Sequence, residues 1–357
     1  MLAATFPADV LAQQADGVYR WEVEVHGGAL AGANPADGSG TLPPAAEVFT
    51  TITARTSRRV SSWLFGDGAA LINDVNDALN VRTARITPLD PLLTSAATDR
   101  EVGGRFGIRV GYAFRPRLLA ELNIDATTST LSFSDAMLTG IEATRSSFRA
   151  AWLGLISTGN GVVFVDGNVS AATIPSGAST RQLFTTGTIK VSLRERARVI
   201  PFISVGGGVV SSAGTRPTIT IVGNYRFASL NVIGPGRFPV NETDTVTISV
   251  IARRGFVAEL GGGVSFQTSN RSGIRADLRG YVAENTVDVV LGANPQVALQ
   301  GATGVIASAT TPSIQFANLT SSTRSSLSGP PIERFTTFAG AGSQIQIGFS
   351  AGYFFRF

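Results

Sequence analysis

The chain has 357 residues, no cysteine, one histidine and a formal net charge of +4, with only 15% charged residues against 43% hydrophobic ones. The lack of cysteine excludes a disulfide scaffold and any cysteine metal site, and the scattered basic residues form no block that suits nucleic acid. So much apolar surface with so little charge points to a membrane. Yet the longest apolar stretch, VIPFISVGGGVV, is far short of the ~18 residues a transmembrane helix needs. A membrane protein without helices must close its strands into a barrel, because lipid offers unpaired backbone groups no partner.

Residues 1–12 read as a truncated or misplaced secretory signal peptide, with Val10-Leu11-Ala12 before Gln13 resembling a cleavage site; a plain disordered N-terminus is the alternative. Residues 13–357 then form one domain. The first strand is YRWEVEVH, in which Tyr19, Trp21, Val23 and Val25 alternate with Arg20, Glu22, Glu24 and His26. One face is apolar and the other ionisable, as lipid outside and a polar lumen inside require.

Six further strands fall into three hairpins. Residues 105–114 and 118–126 are joined by Arg115-Pro116-Arg117, residues 183–193 and 199–210 by Arg194 to Arg198, and residues 255–267 and 273–282 by Thr268 to Ser272. The last strand is SQIQIGFSAGYFFRF. Ile345, Ile347, Phe349, Ala351, Tyr353, Phe355 and Phe357 share one face, and Phe354 alone breaks the polar run on the other.

The four other connections are long, roughly 27–104, 127–182, 211–254 and 283–342. Eight strands with alternating short and long connections match an outer-membrane barrel, with short periplasmic turns, long extracellular loops and both chain ends on the turn side. The fold class is therefore all-β: an eight-stranded antiparallel transmembrane β-barrel with long, partly helical extracellular loops. Tyr19, Trp21, Tyr112, Phe114, Phe266, Tyr353, Phe355 and Phe357 map near the periplasmic end, as an aromatic girdle. A soluble sandwich or lipocalin-like barrel has the same alternation with the faces reversed.

Within the loops, Leu71, Ile72, Val75 and Leu79 have helical spacing across 67–79. Met137, Ile141, Phe148, Trp152 and Leu155 have it across 134–156, with Ser134 as a candidate N-cap. Residues 217–227 and 244–250 suit a hairpin above the membrane, and the Ser/Thr/Ala/Gly-rich stretch 301–331 reads as mobile.

At this point the chain resembles the OmpA/OmpX/OmpW-type small outer-membrane barrels. The closing IGFSAGYFFRF is similar to the signal such proteins present to the barrel-assembly machinery, carried here by Phe349, Tyr353, Phe355 and Phe357. The hairpins RVGYAFRPRLLAEL and VSFQTSNRSGIRADLRG also look like strand–turn–strand units of that group. The resemblance covers the eight strands, well under half of the chain. It departs in the long loops, and no peptidoglycan-binding domain follows the last strand.

The residues expected to face the lumen are Arg20, Arg105, Arg109, Lys190, Arg275, Arg279 and Arg356 against Glu22, Glu24, Glu121, Asp125, Glu259 and Asp277, with His26 beside them. Charges so nearly balanced in a narrow lumen favour an internal salt-bridge network over a conducting pore. His26, placed at the extracellular end of the first strand, has no evident nucleophilic partner, and no G-x-S-x-G elbow exists. SVGGGVV and ELGGGVSF lack the strand–loop–helix context of a phosphate loop. Loop carboxylates Asp67, Asp74, Asp77, Glu242 and Asp244 are weak calcium candidates at most, since they lack an EF-hand pattern. No catalytic, cofactor or metal residue is assigned.

The expected function is non-enzymatic: a structural or surface-interaction protein of a Gram-negative-type outer membrane, acting through its long loops. The expected partners are outer-membrane lipid, lipopolysaccharide, the barrel-assembly machinery during insertion and an unidentified surface partner, with no nucleic acid. The stretches 63–79 and 136–156 are candidate contact surfaces or a lid. Two alternatives stand: a narrow channel for small or hydrophobic solutes, and an outer-membrane lipid-modifying enzyme using His26.

Overall fold

The computed structural model describes residues 19–32, 37–50, 54–81, 84–158, 163–176, 180–195, 197–230, 237–284, 286–299, 303–307, 312–317 and 325–357. The proposed signal peptide lies outside them. In chain order the strands begin with β1 (Trp21–Gly32), β2 (Gly38–Gly40), β3 (Glu47–Thr50), β4 (Thr56–Arg59), β5 (Thr98–Arg100), β6 (Gly103–Arg115), β7 (Leu118–Thr127) and β8 (Leu131–Phe133). They continue with β9 (Val163–Ser176), β10 (Arg181–Ser192), β11 (Val199–Ala213), β12 (Thr218–Leu230), β13 (Arg237–Ala252), β14 (Gly255–Gln267) and β15 (Ser272–Ala283). The last are β16 (Val287–Leu299), β17 (Thr303–Ala307), β18 (Ser313–Ala317), β19 (Ile332–Gly340) and β20 (Gln344–Arg356). The helices are α1 (Gly66–Ala78), α2 (Asp90–Leu93) and α3 (Asp135–Thr158).

Eight strands close a barrel in the order β1-β20-β15-β14-β11-β10-β7-β6. Every neighbouring pair is antiparallel, and β1 completes the ring between β20 and β6. Reciprocal backbone hydrogen bonds of 3.0 Å between Trp21 and Phe357 hold the first and last strands together at the turn side. The alternation resolves as a membrane-spanning barrel demands. Ile345, Ile347 and Phe349 are 67%, 56% and 54% exposed, whereas Glu22 and Glu24 are 4% and 1% exposed. The soluble reading, with apolar side chains inside, is thereby excluded. Hydrocarbon accepts such a belt without the ~25 cal/mol per Å² that water would exact.

The long connections do not hang as separate loops. The described parts of β2, β19, β16, β13, β12 and β9 form a six-stranded sheet in that order. Each is the neighbour in sequence of a barrel strand: β2 follows β1, β19 precedes β20, β16 follows β15, β13 precedes β14, β12 follows β11 and β9 precedes β10. The sheet order therefore repeats the barrel order, so six walls of the barrel continue beyond the membrane. The remaining two barrel strands, β6 and β7, lead into the paired β5 and β8.

Where the upper wall opens, helices fill it. Trp63, Leu71, Ile72 and Val75 around α1 and Met137, Ile141, Phe148, Trp152 and Leu155 on α3 are buried against Ile221, Tyr225, Val246 and Ile248 of the sheet. Trp152 stacks on Tyr225 with ring centroids 4.0 Å apart. Ser134 caps α3 by accepting a 3.3 Å hydrogen bond from the Met137 N–H. Both helices fall where the apolar spacing puts them. The apolar stripe that made them legible is spent on the core of this cap, while Leu138 and Leu153 of α3 stay exposed. β12 and β13 form the anticipated hairpin. Of the stretch expected to be mobile, the described part is built in: β17 pairs with β18, and Ile306, Ile314, Phe316 and Leu327 are buried.

Candidate functional site

Charged side chains reach the barrel axis because they alternate with the lipid-facing residues on strands paired in fixed register. At the turn end, Glu22 receives Lys190 at 3.1 Å, Arg356 at 2.7 Å and Arg275. Arg275 also meets Glu24 at 2.7 Å and Glu121 at 2.9 Å. Further in, Arg109 lies 2.7 Å from Glu24 and 2.5 Å from Asp277, while Arg279 pairs with Glu259. Near the cap, Arg105 reaches Asp125 at 2.7 Å, and the His26 Nε2 contacts the same carboxylate.

Neutral groups fill in around them. Ser350 donates to Asp277 at 2.6 Å, and Thr186 donates to Glu259 at 2.8 Å. Glycines make the room: a Cβ on Gly348 would lie 2.7 Å from the Arg105 Nη1, and one on Gly352 would lie 2.6 Å from the His26 Cβ.

An apolar layer covers the cap end of the network, and aromatic rings support its arginines toward the turn end. Phe202 and Phe354 lie beneath the Arg275 guanidinium, 5.3 and 5.6 Å from its carbon, and Arg356 stacks on Phe354 at 4.8 Å. At the cap end Leu30, Phe184, Val210, Val257, Tyr281 and Ala283 form an apolar layer across the interior. Phe354, the one break in the last strand's polar face, is thus a stacking platform for arginines. Such cation–π contacts let an aromatic ring stand beside buried charge.

Twelve of the fourteen expected lumen residues are buried together. Arg20 is not: it is exposed at the turn-side rim, 3.4 Å from the Tyr112 hydroxyl, because β1 begins one residue after it. Arg356 sits at the same rim, partly exposed and tied to Glu22. His26 lies in mid-strand, not at the extracellular end, since β1 runs on to Gly32 through glycine and alanine positions where alternation cannot be read. Both His26 nitrogens face carboxylates, with Glu24 3.7 Å from Nδ1. Sequence reasoning missed Asn123, Gln182, Thr186 and Thr188, and read Gln344, Gln346 and Ser350 only as the polar face of the last strand; all are buried, and only their place on the inward phase of each strand marks them. Trp21, Phe114, Phe266, Tyr353, Phe355 and Phe357 are exposed outward at the turn end, where Trp21 packs edge-on against Tyr112 at 5.0 Å and Arg271 donates to Tyr19 at 3.1 Å.

The cap holds a second polar cluster. Glu242 and Asp244 occupy successive inward positions of β13 and are fully buried. Tyr225 donates to Glu242, Ser325 donates to it at 2.9 Å, and Trp63 Nε1 donates to the Tyr225 hydroxyl at 2.8 Å. Asp244 accepts from Ser62 at 2.8 Å and from the Trp63 backbone N–H at 2.6 Å. Burial raises Glu242 to about 8 and Asp244 to about 7, and each carboxyl's donors only partly offset this. Two of the other loop carboxylates are engaged elsewhere: Asp67 accepts from the Ala46 N–H at 2.6 Å, and Asp77 pairs with Arg85.

No family model matches the chain, and no curated protein matches it. Among solved structures it is similar to the outer-membrane protease OmpT from Escherichia coli, at 9% identity over 95% of this chain and 97% of that one, with a TM-score of 0.25. It is similar also to the outer-membrane protein OprG from Pseudomonas aeruginosa, at 8% identity over 95% and 97%, with a TM-score of 0.22. A third is the CymD monoaromatic hydrocarbon channel, at 10% identity over 100% and 95%, with a TM-score of 0.21. Likenesses this faint carry no argument about activity.

Proposed function

We propose that the chain is a non-enzymatic protein of a Gram-negative-type outer membrane, a shut barrel that anchors a folded extracellular cap and presents it to a surface partner or to lipopolysaccharide. The filled interior is the observation that carries this reading: a self-paired network of charges lies beneath an apolar layer and a cap with its own core. Buried charges in such a network stay only while each has partners, so opening a water path would mean breaking several pairs at once. The outward aromatics at the turn end suit a membrane interface, and Phe349, Tyr353, Phe355 and Phe357 stand outward where assembly machinery can read them during insertion. The paired His26 supports a structural part in the network over a catalytic one.

Single-channel recording in planar bilayers separates this reading from a narrow channel. Wild-type protein is expected to be silent at 1 M salt. Discrete, reproducible conductance steps from folded protein would overturn the shut barrel and establish the channel.

A further inference from the structure

The turn-side mouth of the barrel opens into a cavity of about 760 Å³. Its floor is the lower end of the charge network, where Lys190 and Arg356 reach Glu22. Apart from Arg356, the network needs nothing from the rim: its six carboxylates are matched by five buried cations and that arginine. The rim nevertheless adds Arg20, Arg115, Arg194 and Arg198, and one further arginine, Arg117, that is already paired with Glu195 at 2.8 Å. Among the described residues none of the first four has a carboxylate partner. They sit on the end of β1 and on two adjacent turns, β6–β7 and β10–β11. These turns are fixed by backbone hydrogen bonds from Ser192 to Arg117 at 2.8 Å and from Gln267 to Arg198 at 2.9 Å.

We infer that this vestibule binds a phosphoryl anion. Guanidinium groups present planar forks that match phosphoryl oxygens two at a time. Four unpaired positive charges around one concavity suit a multiply charged group, where a lone carboxylate would leave most of them unmatched. The low-dielectric barrel wall concentrates their field at the mouth. The rim lies level with Tyr19 and Tyr112, at the turn-side edge of the lipid-facing belt. A phosphoryl group can arrive there from the adjacent leaflet, as a lipid headgroup, or from solution. The site does not depend on whether the barrel conducts.

The test uses the full chain in phosphatidylcholine nanodiscs, titrated calorimetrically with pyrophosphate. Wild type and Arg149→Gln, an exposed cap arginine, are expected to bind alike, and Arg115→Gln/Arg194→Gln/Arg198→Gln to bind at least tenfold more weakly, all with the heat-shifted mobility of a folded barrel. No binding by wild type, or binding that the triple variant leaves within twofold, overturns the site. Repeating the titration in phosphatidylglycerol nanodiscs identifies the source: loss of the pyrophosphate signal there marks the lipid headgroup as occupant, and its retention marks a soluble phosphate.

Discussion

Arg275 touches Glu22, Glu24 and Glu121 at once from a position closed to water. Removing it leaves those carboxylates with Lys190, Arg109, Arg279 and Arg356 as their remaining near cations, each already engaged. Breaking a buried pair from one side typically costs about 3–5 kcal/mol, because the orphaned charge stays desolvated. Arg275→Ala should therefore lower stability by that order in urea unfolding from lipid bilayers. Arg356→Gln, at the partly solvated rim, should cost under about 1 kcal/mol. Equal losses for the two would show that the network is not the shut, dry assembly described. Arg275 was legible in the sequence as an inward residue. Phe202 and Phe354, the rings beneath it, were not recognisable as its supports, since an inward aromatic on a barrel strand looks like an interruption of the polar face.

β13 carries the buried acid pair of the cap, and it makes the cap's stability depend on pH. In the unfolded chain Glu242 and Asp244 titrate near 4, while folding raises them to about 8 and about 7. Between these limits the folded cap holds protons that the unfolded chain has released, so stability is greatest near pH 4 and falls as pH rises to about 8. The full drop is on the order of several kcal/mol, each pKa unit being worth about 1.4 kcal/mol. Thermal melting followed by near-ultraviolet circular dichroism should give a cap transition that drops between pH 5 and pH 8, and Glu242→Gln with Asp244→Asn should flatten it. A wild-type transition that climbs with pH would contradict the buried pair. Both acids stood out in the sequence only as loop carboxylates, with nothing to mark them as buried: on an upper strand, alternating acids look like a solvent face. β20 was readable end to end, and β1 as far as His26, because charge or glutamine marks one face of each. β11 was harder, since Ile200, Phe202 and Val210 point inward and leave an almost unbroken apolar run.

The continuation of the barrel wall into the cap was the largest feature hidden from the sequence. A strand that buries its apolar face in a cap core has the same two-residue period as one that faces lipid, so nothing in the pattern changes between β14 and β13 or between β15 and β16. The short turns and the helices were visible because their chemistry or spacing differs from the strands. The three tryptophans test the whole arrangement: Trp21 stands outward at the turn-side edge of the lipid belt, whereas Trp63 and Trp152 are fully buried in the cap. Lipids brominated along their acyl chains should quench Trp21 alone, so Trp21→Phe should abolish lipid quenching and leave the cap emission in place. The cap pair lies at 5.3 Å in a T-shaped contact beside Tyr225, and its emission should stay blue and resist aqueous quenchers at pH 5. If brominated lipid quenches Trp21→Phe as strongly as wild type, the α1 and α3 segments lie in the bilayer and the division between barrel and cap is wrong.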